Sequence, residues 1–92
     1  MAKVEIYSKT YCPYCIHAKT LLNKKGVPYT EYNVSTDGTK ADEMMTRKPD
    51  ARTFPQIFID NKSIGGFDDM KKLDDLGELD KLLGINAQIL KK

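Results

Sequence analysis

The sequence predicts an α/β domain in which helices flank a mixed four-stranded sheet, in the order β-α-β-α-β-β-α. Three observations predict this class. Residues 3–7 alternate polar and apolar side chains, as a strand does, and residues 12–25 place apolar side chains at helical spacing. Residues 57–59 and 62–64 are two short strands separated by Asp60-Asn61, which suits a hairpin turn. The first β-α-β unit should therefore be right-handed with parallel strands, and the last two strands antiparallel.

The first half of the chain contains the first two strands and the first helix. The helix should end at Gly26, since glycine is favoured just past a helix C-terminus. Its buried face comprises Cys15, Ala18, Leu21 and Leu22. A second strand follows over residues 29–34, and residues 35–39 form a turn.

The second half contains a short helix, the hairpin and a helical C-terminal part. The short helix should span residues 40–48, and its inward side chains are Met44 and Met45. After the hairpin, Gly65-Gly66 opens the last helical part, with a break at Gly77. Residues 88–92 have the composition of a frayed tail.

Size and composition predict one globular domain over residues 1–92, since 40% of the side chains are apolar. The net charge of +2, from 15 basic and 13 acidic residues, argues against a nucleic-acid-binding protein. We find no apolar run long enough for a signal peptide or a membrane span. The expected location is therefore the cytoplasm, without a membrane partner.

The pair Cys12 and Cys15 calls for a chemical explanation. In a reducing compartment two cysteines seldom form a structural bridge, and this one would close a very short loop. Cys12 lies where a loop enters the helix, and Pro13 suits the first helical position. Free backbone N–H groups, the helix dipole and nearby Lys9 would favour the Cys12 thiolate, the attacking species in disulfide exchange. Cys15, one turn further on and more buried, has the geometry of a resolving thiol.

Two alternatives compete with the redox interpretation. A structural zinc site needs four ligands, but His17 is the only histidine and its spacing is poor, so we predict no metal site. The sequence shows no partner for His17, which is expected to be a solvent-facing residue of the helix. The second alternative is a pair of inert cysteines in the core. We expect Cys12 to be accessible to solvent, because it lies at the helix entrance beside Pro13, and this argues against the second alternative.

Three motifs resemble the dithiol glutaredoxins, in particular the small bacterial ones, in order and spacing from Val4 to Leu83. They are Cys12-Pro13-Tyr14-Cys15, then Arg52-Thr53-Phe54-Pro55-Gln56-Ile57-Phe58-Ile59, then Ile64-Gly65-Gly66-Phe67-Asp68-Asp69. The resemblance implies a thioredoxin-like fold and glutathione-dependent reduction of protein disulfides and glutathione mixed disulfides. It also implies a role in electron transport and cell redox homeostasis, with oxidised enzyme returned to the dithiol by glutathione that an NADPH-dependent reductase keeps reduced.

The resemblance further implies a set of site residues. Cys12 and Cys15 would be catalytic, and the glutathione-binding positions would be Lys9, Tyr14, Arg52, Thr53, Phe54, Pro55, Gly66, Phe67, Asp68 and Asp69. Pro55 matches the family's cis-proline, which would place the Phe54 backbone beside Cys12 for strand-like pairing with substrate. Lys9 and Arg52 would bind the glycine carboxylate of glutathione, and Lys40 is a weaker candidate.

The Gly65-Gly66 motif would bind the other end of glutathione. A helix that starts there leaves the N–H groups of Phe67 and Asp68 free to bind the glutamyl carboxylate. The Asp68 side chain would hold the ammonium group, and Asp69 would assist or simply cap the helix. Many relatives have Cys, Ser or Thr at position 67, and an exposed Phe67 could instead pack against a protein substrate.

Two rival functions stay open. A redoxin served by a flavin-dependent reductase would not need the glutathione-binding positions Lys9, Arg52 and Asp68. A carrier of an iron–sulfur cluster usually has a single cysteine without a following proline, so Pro13 and Cys15 argue against a bound cluster. The expected partners of a monomeric enzyme are glutathione and disulfide-containing or glutathionylated proteins, with ribonucleotide reductase among the candidates.

Overall fold

The computed structural model describes residues 2–85, and the tail predicted at residues 88–92 lies outside them. Four strands and four helices follow one another in the predicted order, with Gly77, at φ 78°, separating the last two helices. The elements are β1 (Val4–Ser8), α1 (Pro13–Lys24), β2 (Thr30–Asn33), α2 (Gly38–Arg47), β3 (Gln56–Ile59), β4 (Lys62–Gly65), α3 (Phe67–Asp75) and α4 (Glu78–Leu83). None of the helices in this part of the chain is long and apolar enough to cross a membrane.

The sheet has the strand order β2-β1-β3-β4. β1 pairs in parallel with β2 and antiparallel with β3, and β3 and β4 form an antiparallel hairpin. The two turn residues Asp60 and Asn61 have φ values of 50° and 67°, a left-handed conformation that Asp and Asn tolerate and that a two-residue hairpin turn requires. The predicted mixed sheet, its parallel first pair and its closing hairpin are confirmed.

Apolar side chains cover both faces of the sheet. On one face, strand residues such as Ile6 and Ile57 pack with Leu22, Met70 and Leu83 of the helices. On the opposite face, Tyr7, Met44, Ala51 and Phe58 form a second, smaller cluster. The alternation in β1 thus does not separate a buried from a solvated face, because all five of its residues are buried.

The second face also buries a polar network between β1 and α2. Arg47 Nη2 donates to Glu5 Oε1 at 3.0 Å, and Arg47 Nη1 donates to the Tyr7 hydroxyl at 2.9 Å. Burial alone would raise the pKa of Glu5, but hydrogen bonds from Arg47 and Tyr32 outweigh it and lower that pKa. Burial, together with the hydrogen bond to Glu43, raises the pKa of Tyr7 to about 12. The network attaches α2 to the sheet.

Two predictions about α2 are wrong. The helix starts at Gly38, inside the predicted turn, because Asp37 acts as N-cap and accepts a hydrogen bond from the Thr39 N–H at 3.0 Å. Met44 is buried, but Met45 is 39% exposed. The polar residues Glu43 and Arg47 face the sheet beside Met44, so no space on that face is left for Met45.

Candidate active site

The start of α1 positions the cysteine pair. Cys12 is the N-cap, with extended backbone (φ −118°, ψ 99°), and Pro13 is the first helical residue. Pro13 suits this position because its missing N–H would have no partner in the helix. The Cys12 sulfur accepts a hydrogen bond from the Cys15 backbone N–H at 3.2 Å. The helix entrance expected at Cys12 is present.

Cys12 and Cys15 are joined in a disulfide, with their Cα atoms 5.2 Å apart. Both residues are buried, Cys12 being 5% and Cys15 2% exposed. The expectation of a solvent-accessible Cys12 is wrong for this oxidised form. The N-cap conformation turns the Cys12 sulfur back onto the first turn of α1, toward Cys15 and its N–H, and so away from solvent.

A cavity of about 400 Å³ lies over the Cys12 end of α1. Its walls are Lys9, Tyr11, Cys12, Pro13, Tyr14, Arg52, Thr53 and Phe54. The Lys9 ammonium lies 5.7 Å from the centre of the Phe54 ring, within the range of a cation–π contact. Two cations, Lys9 and Arg52, therefore line the same cavity as Cys12.

A second cavity, of about 200 Å³, adjoins the first. It is lined by Tyr14, Thr53, Phe54, Gly66, Phe67, Asp68 and Asp69. Because Tyr14, Thr53 and Phe54 line both cavities, we describe the two together as the active-site cleft. Of the twelve residues predicted for the site, only Cys15 and Pro55 do not line the cleft, and both are buried directly behind it.

The Phe54-Pro55 peptide bond is cis, as the motif predicted. It connects the cleft wall to the start of β3 at Gln56. The start of α3 approaches this bond closely, since a Cβ atom on Gly66 would lie 3.3 Å from the Pro55 carbonyl oxygen. A glycine at position 66 thus allows the two walls of the second cavity to meet.

The two aspartates at the start of α3 differ in their contacts. Asp69 Oδ2 accepts a hydrogen bond from the Gly66 backbone N–H at 3.1 Å, so Asp69 caps the helix. The same carboxylate occupies the space that a side chain on Gly65 would need, and Gly65 also has a φ of 97°. Asp68 is exposed and lines the second cavity. Asp68 is therefore the aspartate available to a ligand.

Phe67, His17 and Tyr14 lie together where the start of α3 meets α1. Phe67 is half-buried and packs against the main core, while its ring stacks with Tyr14 at a centroid distance of 6.4 Å and an interplanar angle of 24°. His17 faces solvent, but its ring lies 5.6 Å from that of Phe67 and 6.1 Å from that of Tyr14. The solvent-facing position expected for His17 is confirmed. The exposed position considered for Phe67 is wrong, because the start of α3 packs against α1 and shelters the ring.

Tyr11 lines the cleft, although it belongs to none of the three motifs. It is 96% exposed and has a φ of 59°, a left-handed conformation that is rare outside glycine and that no sequence pattern predicted here. Lys40, the weaker candidate, lines neither cavity; its ammonium pairs with Glu43 at 3.2 Å and lies over the Tyr32 ring. Within residues 2–85, no group of three or more His, Cys, Asp or Glu side chains could hold a metal ion.

Comparisons with known proteins agree with this geometry. The glutaredoxin family model matches residues 4–64. The chain is 51% identical over 83 residues to Glutaredoxin 3 of Escherichia coli strain K12, an alignment that covers 90% of this chain and 99% of that protein. The solution structure of glutaredoxin from Brucella melitensis is similar, with a TM-score of 0.75 at 44% identity, covering 90% of this chain and 89% of that one.

A further similar structure is the buckwheat glutaredoxin–glutathione complex, with a TM-score of 0.80 at 28% identity, covering 90% of this chain and 77% of that one. The sequence match, the shared fold and the cysteine pair at the start of α1 all lead to the same assignment. The chain belongs to the glutaredoxin family, the glutathione-dependent thiol–disulfide oxidoreductases with a thioredoxin-like fold.

Proposed function

We propose that Cys12 is the attacking thiolate and Cys15 the resolving thiol in the reduction of glutathione mixed disulfides and protein disulfides. The observation that carries this assignment is the position of Cys12 at the N-cap of α1, beside the cleft, with the Cys15 N–H 3.2 Å from its sulfur. In the reduced protein this donor and the positive end of the helix dipole favour a negative charge on that sulfur. Cys15, behind the cleft, has no comparable access to substrate.

The reaction follows from two exchanges of disulfide partners. The Cys12 thiolate attacks the glutathione sulfur of a mixed disulfide; the old S–S bond breaks, and the substrate thiolate leaves and takes up a proton. Cys12 is now bonded to glutathione. A second glutathione thiolate can attack the glutathione sulfur of this mixed disulfide; oxidised glutathione leaves, and the Cys12 thiolate is regenerated. Alternatively, the Cys15 thiolate attacks Cys12, releases glutathione and forms the Cys12–Cys15 disulfide, which two glutathione molecules then reduce.

The cleft offers complementary charges for glutathione along its length. In the proposed binding mode of glutathione, its glycine carboxylate lies near Lys9 and Arg52, in the cavity that Cys12 also lines. The Phe54 backbone pairs with the cysteine of glutathione, next to the cis peptide bond. The glutamyl carboxylate lies at the N–H groups of Phe67 and Asp68, and its ammonium group at the Asp68 carboxylate. The surface between these contacts is formed by Tyr14, Thr53, Gly66 and Asp69, with the buried Pro55 behind it.

We infer a single-domain monomer of the cytoplasm that requires no resident cofactor and acts on glutathionylated or disulfide-containing proteins, with ribonucleotide reductase among the candidates. The mixed charge of the chain, 15 basic and 13 acidic residues, supports a protein partner rather than a nucleic acid.

A turnover assay on two cysteine variants tests the roles of the cysteines. The substrate is a mixed disulfide of glutathione and a small thiol, with glutathione, its reductase and NADPH supplying electrons. We expect Cys12→Ser to be inactive and Cys15→Ser to retain a large part of the wild-type rate, because a second glutathione can replace Cys15. With a protein disulfide as substrate, Cys15→Ser should lose most of its rate. Activity of Cys12→Ser on the mixed disulfide would contradict the assignment.

A further inference from the structure

Gln56, the first residue of β3, connects the active-site cleft to the sheet. Its side-chain Nε2 donates to the Thr53 carbonyl oxygen at 2.8 Å and lies 3.4 Å from Thr53 Oγ1. Gln56 itself is only 3% exposed. Its side chain therefore spans the cis Phe54-Pro55 bond and attaches the cleft wall formed by Thr53 and Phe54 to the buried start of β3.

The orientation of the Gln56 amide has a cost in stability. Only the NH₂ group can donate to a carbonyl oxygen, so the contact with Thr53 determines which end of the amide faces it. The other end, Oε1, is then buried, and it has no hydrogen-bond partner within the described part of the chain. A buried carbonyl without a partner costs at least as much free energy as one hydrogen bond contributes. Stability alone thus gives little reason for glutamine at this position.

Besides Gln56, this wall is attached by the Phe54 ring, which packs against the second core cluster, and by few hydrogen bonds in the described part of the chain. Ala51 is buried in the second core cluster, and its N–H donates to the Lys48 carbonyl at 3.0 Å. Past Ala51 the chain is irregular, with Arg52 and Thr53 exposed, until Pro55 becomes buried. The hydrogen bond from Gln56 reaches into this irregular stretch at Thr53, one of the residues that line both cavities.

We propose that Gln56 is a positioning residue for glutathione: its amide holds the Thr53-Phe54 wall in the conformation that binds the substrate. The inference rests on the proposed function of the cleft and adds a residue that does not itself line it. Gln56 thereby contributes to substrate affinity more than to fold stability.

Gln56→Met removes the hydrogen bond and the buried oxygen while nearly preserving the side-chain shape. We expect the KM for the glutathione mixed disulfide to rise about three- to tenfold, the effect of one neutral hydrogen bond, with kcat changed less than about twofold. Ile59→Val is the matched control, because Ile59 is a buried residue of the same strand and its truncation lowers stability modestly. The control should keep the wild-type KM, and thermal melts should show Gln56→Met to be no less stable than Ile59→Val.

A second readout uses wild-type protein and is independent of how the variants fold. The Gln56 side-chain NH₂ resonances should shift when S-methylglutathione saturates the reduced enzyme. A wild-type KM in Gln56→Met, an equal rise in Ile59→Val, or unshifted Gln56 resonances would each overturn the inference. An inactive wild-type enzyme would instead contradict the proposed function itself, so the two failures are distinguishable.

Discussion

The Asp69 carboxylate accepts a hydrogen bond from the Gly66 backbone N–H at 3.1 Å, and this contact separates the roles of two adjacent aspartates. Asp69 closes the first turn of α3, whereas Asp68 extends into the second cavity. Each aspartate was predicted from the same motif. Their different surroundings lead to different expectations for their variants.

Asp68→Ala should weaken glutathione binding, and Asp69→Ala should weaken the fold. For Asp68→Ala we expect a severalfold rise in the KM for the mixed disulfide and a change in the free energy of unfolding below about 0.5 kcal/mol. For Asp69→Ala we expect a loss of about 1 kcal/mol of unfolding free energy, because a capping hydrogen bond disappears. Urea denaturation and steady-state kinetics measure both effects. Equal stability losses in the two variants would contradict the distinction.

Lys9 and Arg52 should bind an anionic group of the substrate. Neutralising either one, as Lys9→Gln or Arg52→Gln, should raise KM about two- to tenfold, because each removes a charge from the wall of the cavity beside Cys12. Added salt should raise the wild-type KM and reduce the difference between wild type and variants, since salt screens exposed charges. Lys62→Gln, an exposed substitution on β4, serves as the charge-matched control. An equal rise in KM for that control would argue against specific binding by Lys9 and Arg52.

Glu5 should contribute to acid unfolding. Its folded-state pKa is lowered from 4.5, because hydrogen bonds from Arg47 and Tyr32 and the Arg47 charge outweigh burial. Between the folded and unfolded pKa values the unfolded chain binds more protons, so the free energy of unfolding falls as the pH drops below about 5. The Glu5 contribution is fully present above the unfolded pKa and is lost as the pH falls through the folded pKa.

Glu5→Gln should therefore be less stable than wild type at pH 7 and lose less stability on acidification. The comparison is made by urea denaturation from pH 7 to pH 3. Parallel stability curves for the two proteins would show that the Glu5–Arg47 pair does not contribute to the acid response. Asp50→Asn is a suitable control, because Asp50 is an exposed carboxylate whose contact with Lys48 is 3.7 Å long.

Phe67 should stabilise the fold through its contacts with the core and with Tyr14. Phe67→Ala is expected to lower the free energy of unfolding by about 1–3 kcal/mol, less than for a fully buried phenylalanine because the ring is half-buried. Leu76→Ala is the control: Leu76 is 66% exposed, and its truncation should cost less than about 0.5 kcal/mol. A Phe67 side chain that served only as an exposed docking surface would behave like Leu76.

Features set by neighbouring residues in the chain could be predicted from the sequence. Pro13 after Cys12 indicates a helix entrance, and Asp60-Asn61 between short apolar runs indicates a hairpin. Local steric and hydrogen-bonding preferences decide such features. The same holds for the break at Gly77, which adopts a positive φ.

Features set by packing between distant elements could not be predicted. Met45 follows the helical pattern of an inward residue, but Arg47 and Glu43 occupy that face because Glu5 and Tyr7 lie buried opposite them. Phe67 is sheltered only because α3 packs against α1, and Cys12 is buried because its side chain turns toward Cys15. The role we propose for Gln56 depends likewise on a folded-back contact with Thr53.

The central claim is that Cys12, not Cys15, exchanges disulfides with glutathione. It is tested most directly by mass spectrometry of the reduced single-cysteine variants after brief exposure to oxidised glutathione at neutral pH. We predict that Cys15→Ser, which retains Cys12 in the cleft, gains one glutathione per chain rapidly. Cys12→Ser, which retains only Cys15 behind the cleft, should gain little in the same time. Rapid addition of glutathione to Cys15 in Cys12→Ser, with Cys12 unmodified in Cys15→Ser, would contradict the account.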